Sequence, residues 1–174
     1  MGDEVWYATI VGVIVLSGLS IFYILYLAKM RRTKTNAAWK QAATELGLDF
    51  TPVTRIFGKY RMSGVIGKQL SCSVWAYTEP NGQGGYTTFM NYDVRFPQRL
   101  NKVKELLTPN IQSKLLEVNN VLKKVVVSDD SINSTRVSGF IRKSEILIRN
   151  VKLLIQLAEL IIPNEEVDSI FEEI

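Results

Sequence analysis

Between Val5 and Ala28 the chain carries no charged side chain, and that run constrains its fold more than anything after it. As a helix rising about 1.5 Å per residue it extends roughly 36 Å, against a bilayer hydrocarbon core of about 30 Å, so it can span with some tilt. Trp6 and Tyr7 stand at one end, with Phe22, Tyr23 and Tyr26 near the other. Those are the levels at which amphipathic rings settle among headgroups. A buried core helix is the bland alternative, but a soluble domain of this size seldom hides one that is apolar all round. A cleaved signal peptide has a basic flank before a shorter apolar core. Here Asp3 and Glu4 precede the core, and Lys29, Arg31, Arg32 and Lys34 follow it. No cysteine follows the run for lipid attachment, so the helix is expected to be retained. The basic side faces the cytoplasm by the positive-inside rule.

The expected layout follows. Residues 1–4 form an extracytoplasmic N-terminus, 5–28 a single membrane-spanning helix and 29–35 a basic juxtamembrane linker. Residues 36–163 form a cytoplasmic domain, and 164–174 an acidic tail. The compartment is the cell (inner) membrane. The net charge of +4 needs dividing before it is interpreted. Two acids precede the helix and four basic residues follow it, so the remainder of the chain carries an excess of only two positive charges. Half the excess is thus a topology signal. The same four residues should be drawn to anionic lipid at about 1 kcal/mol each.

The chain contains no histidine and a single cysteine, Cys72. The first absence removes imidazole-based triads and the usual zinc and haem ligand. The second removes an intrachain disulfide and any cysteine-cluster metal site. No cofactor, metal site or catalytic residue is read from this sequence. Cys72 alternates with Leu70, Val74 and Ala76 on one strand face, which marks it as a core hydrophobe.

Periodicity places the remaining elements. Asn36 to Gly47 reads as a helix ending in a Gly cap. Lys59 to Ile66 and Gln69 to Tyr77 read as a hairpin turning at Gly67–Lys68, and Tyr86 to Phe96 as a third strand. Gln98 to Leu107 looks helical, Pro109 interrupts, and Ile111 to Val118 resumes. Val121 to Ser128 and Ile132 to Phe140 form a second hairpin around Asp129–Asp130–Ser131. A long helix then runs from about Lys143 to Ile162 with a broad apolar face. The predicted fold class is α+β: one transmembrane helix plus a two-layer domain, an antiparallel sheet of about five strands covered by helices, in the order TM-α-βββ-α-ββ-α.

Few residues stand out as sites. The loop Asn81-Gly82-Gln83-Gly84-Gly85 lies between two strands, whereas phosphate loops lie between a strand and a helix. Arg55, Lys59, Tyr60, Arg61 and Lys68 form a basic and aromatic group that offers a possible surface contact. An ordinary charged strand edge is its plainest account, contact with a membrane or partner the next, and nucleic acid the last. Asn133-Ser134-Thr135 matches a glycosylation sequon that a cytoplasmic domain would not present to the enzyme. Ala8 and Gly12, four apart in the anchor, together with the small residues Ser17, Gly18 and Ser20, would permit close helix packing.

From Trp39-Lys40-Gln41-Ala42-Ala43 through Leu46-Gly47-Leu48-Asp49-Phe50 the chain resembles a group of uncharacterised prokaryotic single-pass membrane proteins. Those share an N-terminal anchor, a W-x-x-A-A-x-x-L-G-L-x-F stretch and a Gly-punctuated hairpin, here Gly58 to Gly67. The resemblance implies the same architecture and no activity. Together these readings lead to the expectation of a non-enzymatic, membrane-anchored interaction module. It would be an accessory or stabilising subunit on the cytoplasmic face of a respiratory, photosynthetic or transport complex, with lipid and other integral subunits as partners. The alternative is a membrane-tethered domain with a lipid or small ligand held between the sheet and the long C-terminal helix.

Overall fold

The computed structural model describes residues 2–54, 58–100 and 106–162. Gly2–Leu46 form one uninterrupted helix, α1. Residues 29–35, expected as a linker between two helices, are therefore helical themselves. They contain no Gly or Pro to break the ladder, and the Thr33 and Thr35 hydroxyls donate to the carbonyls of Lys29 and Arg31, one turn back. The N-terminal part of α1 is long and apolar enough to cross a membrane, and none of that window is buried against the rest of the chain. A core helix of a soluble protein would be mostly covered, so that reading does not describe it.

Past Thr35 the same helix turns from exposed to buried. Trp39, Ala42, Ala43 and Leu46 pack into the core. Gly47 ends the helix at φ +70, a conformation that costs an L side chain about 1 kcal/mol or more. Its N–H reaches the Thr44 carbonyl and that of Leu48 reaches Ala43, which satisfies two of the last four carbonyls of α1.

The sheet that follows has six strands: β1 (Asp49–Phe50), β2 (Arg61–Ile66), β3 (Leu70–Pro80), β4 (Tyr86–Arg95), β5 (Val125–Val127) and β6 (Ser131–Ser138). Their spatial order is β1-β2-β3-β4-β6-β5, and every pairing is antiparallel. Among the described residues two more helices belong to the domain, α2 (Pro109–Leu122) between β4 and β5, and α3 (Ser144–Ile161) after β6. The expected α+β layering and the strand faces hold. Leu70, Cys72, Val74 and Ala76 of β3 are buried under the helices, as are Met90, Tyr92 and Val94 of β4.

Several boundaries differ from expectation, each for a visible reason. Pro109 starts α2 instead of interrupting it: its missing N–H costs nothing at a first helical position, and the Thr108 hydroxyl accepts from the Ile111 N–H. Val121 and Leu122 are helical and not the start of a strand, because Leu122 is fully buried and the chain then reverses at Lys123 and Lys124, both with positive φ. Ser134 stabilises that reversal, its hydroxyl donating to the carbonyls of Leu122 and Lys123; the sequon serine is thus a buried structural group. β1 is a sixth strand where about five are expected: the short extended stretch that Phe50 and Pro52 mark in the sequence pairs with β2 over two residues. Of the helix expected over 98–107, residues 98–100 are not helical and 101–105 lie outside the described residues, as does the tail from 164 onward.

The interior between the sheet and α3 is filled by side chains. Tyr92, Leu147, Leu154 and Leu157 are almost wholly buried there. The Asn150 amide donates to the Tyr92 hydroxyl at 3.2 Å across that layer. Burial pushes the Tyr92 phenol up to about 12, against the lowering influence of Asn150 and Arg149. Burial, helped by the negative charge of Asp93, lifts the Cys72 thiol to about 12 as well.

Both shifts favour the protonated folded form, so their effect lies on the alkaline side. An unfolded chain loses the thiol proton near pH 9 and the phenol proton near pH 10, whereas the folded chain keeps both to about 12. Stability is therefore full below pH 9 and falls as pH rises, by about 1.4 kcal/mol per unit for each group. Melting in detergent from pH 8 to 10.5 should show a loss of about 3 kcal/mol, about 2 of it from the thiol, and Cys72→Ala should remove the part that begins near pH 9. A flat profile to pH 10.5 would show that neither group is held neutral by the fold.

Candidate functional site

Strand alternation divides the basic and aromatic group that proximity in sequence had gathered together. Lys59 and Arg61 point away from the helices, and Tyr60 points towards them. Lys68 lies in the turn at the far end of β2, about 20 Å of strand away. Arg55 lies outside the described residues. Two sites result, one on each side of the sheet.

The first is the open face. Among the described residues no element covers the surface formed by alternate residues of β2, β3 and β4. Its centre is Trp75, half-buried, paired with Arg61 on one side and Asn91 on the other. The next rung joins Ser63, Ser73 and Asp93, and the one beyond it brings Ser71 beside Arg95. On the other side of Trp75, Tyr77 faces Phe89 with ring centroids 5.7 Å apart. Lys59, Arg61, Ser71, Ser73, Trp75, Asp93 and Arg95 line a shallow depression of about 490 Å³. Asp93 is matched by Arg95 at 2.9 Å, so Lys59 and Arg61 leave the depression net positive.

Only Lys59 and Arg61 of this surface were marked from sequence. The signal for the rest was the alternation of β3: the face opposite Cys72 carries Ser71, Ser73, Trp75 and Tyr77. That composition suits a solvated or contacting surface and not a core.

The second site lies where α1 meets the domain. The Tyr60 ring packs on Trp39 at 5.4 Å and on Phe140 at 5.1 Å. Its hydroxyl bonds Thr35, and the guanidinium groups of Arg32 and Arg142 lie close enough to pull its pKa down, although burial outweighs them and raises it. Arg32 donates to the Thr54 carbonyl at 2.7 Å, and Asn36 makes two bonds to the Val53 backbone. The domain is thereby tied to α1 just below the apolar segment. Arg142 carried no local signal; only the chain's exit from β6 brings it beside Arg32.

Most of the remaining marked residues behave as surface, while Lys29 and Arg31 also border the second site. Trp6, Tyr7, Tyr23 and Tyr26 are exposed on α1, as are Lys29, Arg31 and Lys34. Gly12 and Gly18 face open space, Ser20 bonds the Leu16 carbonyl, and the Ala8 side chain is not among those described. The Gly-rich loop is a hairpin tip, folded around the Asn81 side chain, which accepts from the N–H groups of Gln83 and Gly85. Among the described residues no three His, Cys, Asp or Glu side chains converge as metal ligands would. Neither a protein-family model, nor a curated protein, nor a solved structure matches this chain.

Proposed function

We propose that this chain is a non-enzymatic, membrane-anchored interaction module, an accessory or stabilising subunit whose domain docks on the cytoplasmic face of a larger membrane protein complex. The observation that carries this reading is the open sheet face, where Trp75 is flanked by Arg61 and followed by Tyr77 and Phe89. Trp, Tyr and Arg are the residues that most often carry binding energy at protein interfaces. An anchored domain meets partners in its own membrane far more often than freely diffusing ones, because the tether raises their effective concentration. Among the described residues Lys59 and Arg61 have no acidic partner, and their charge suits an acidic partner surface.

Native-gel migration after mild detergent extraction tests the proposal. The chain is expected in a high-mass assembly that also contains other integral membrane proteins. Migration only as a free chain, at several detergent concentrations, would remove the subunit reading.

A further inference from the structure

The recess at the foot of α1 has a chemistry distinct from the open sheet face. Leu25 and Ala28 of the apolar segment line it, together with the cations Lys29, Arg31, Arg32 and Arg142 and with Thr35 and Tyr60. Its volume is about 380 Å³. Among the described residues these cations have no carboxylate partner, whereas Arg95, Arg99, Lys114 and Lys152 elsewhere in the domain each do. Arg32 spends one N–H on the Thr54 carbonyl, which leaves the other donors of its five. Phe140 stacks on Trp39 at 6.2 Å, and the Trp39 indole N–H holds the Ile141 carbonyl at 3.2 Å. The backbone leading to Arg142 is therefore fixed by the core.

Depth along α1 identifies the ligand. If Ala28 marks the edge of the hydrocarbon, Lys29 to Arg32 lie about 2–6 Å beyond it, and Thr35 about 10 Å. The headgroup layer is roughly 5–8 Å thick on each side. The cations thus stand at phosphate depth while Leu25 and Ala28 border the acyl chains. Guanidinium forks, an ammonium and a phenol O–H together match the oxygens of a phosphate. We propose that this recess binds the phosphate headgroup of an anionic phospholipid, an inference that rests on the membrane-anchored reading of α1 but not on a protein partner.

The test uses the full-length chain in a neutral detergent, titrated with dioleoyl phosphatidylglycerol or dioleoyl phosphatidylcholine and followed by native mass spectrometry. Phosphatidylglycerol should bind at least about tenfold more tightly than phosphatidylcholine, whose choline the cations repel. Arg142→Gln should weaken phosphatidylglycerol binding about fivefold, and Lys29→Gln similarly. Lys34→Gln removes the same charge from an exposed position outside the recess and should change binding by less than about twofold. Among the described residues Arg142 makes no hydrogen bond that holds the fold together, and an unchanged melting curve of Arg142→Gln confirms that its effect is local.

Equal weakening by Lys34→Gln and Arg142→Gln would overturn the recess and leave only general attraction to a charged surface. Binding of glycerol 3-phosphate as tight as that of the lipid would overturn the lipid as the source of the phosphate. Release of the chain from membranes by alkaline carbonate would overturn the anchor, and the inference with it.

Discussion

Replacing Trp39 by alanine is expected to cost about 3–5 kcal/mol, the range for truncating a large buried aromatic. Against a typical domain stability of about 5–15 kcal/mol that is enough to leave a substantial fraction unfolded. Trp39 is fully buried and touches Phe50, Tyr60 and Phe140, which come from three separate segments of the chain. Its indole N–H also holds the Ile141 carbonyl. Truncation therefore leaves a cavity bordered by three rings and a carbonyl without its donor. The helix that carries it continues upward as the apolar segment, so the same loss loosens the domain from its anchor. Thermal melting in detergent should fall by about 10–20 °C. Trp39→Phe keeps the ring contacts and gives up only the hydrogen bond, so about 1 kcal/mol is expected of it. A Trp39→Ala protein that melts within 3 °C of the parent would refute the claim that this residue joins anchor to domain.

The stretch around Trp39 also shows how far the fold was legible before the structure. In W-x-x-A-A-x-x-L-G-L-x-F, Trp39, Ala42, Ala43, Leu46 and Leu48 are buried, Phe50 packs beside them, and Gly47 turns the chain. The motif encodes packing, which explains why it suggested an architecture and no activity. The apolar run was legible for a similar reason: its length and lack of charge are local properties. β1 was not, since two residues carry no periodicity and Phe50 becomes a strand residue only by pairing with Met62. The helical state of Lys29–Thr35 is readable from the absence of breakers, but a run of charge between two apolar segments reads equally as a linker.

The sites failed more instructively. Lys59, Tyr60 and Arg61 are neighbours in sequence, yet a strand sends successive side chains to opposite faces. Two of them belong to the open sheet and one to the junction with α1. Arg142 reaches that same junction across more than eighty residues of chain from Tyr60, a proximity that only the β6–α3 connection creates. Alternation could have found Trp75. No pattern within a single segment could have found Arg142.

Trp75→Ala separates the contact surface from the fold. Trp75 is half-buried on a face that no described element covers, so its truncation should cost the isolated domain only about 1 kcal/mol. At the centre of a docked interface the same change should cost about 2–4 kcal/mol, a weakening of roughly 30- to 1,000-fold. Arg61→Glu, directly opposite on the neighbouring strand, reverses a charge where an acidic surface is expected, and should compound the loss. Leu116→Ala serves as the control, since Leu116 is as exposed an apolar residue as any on α2, on the helical side of the sheet. On native gels of detergent-extracted membranes, Trp75→Ala should release the chain from its assembly and Leu116→Ala should not. If both variants stay in the assembly, the open face is not where the partner sits; if both leave it, the effect is one of folding. Only loss confined to the Trp75 and Arg61 variants, with unchanged melting, assigns binding to the sheet.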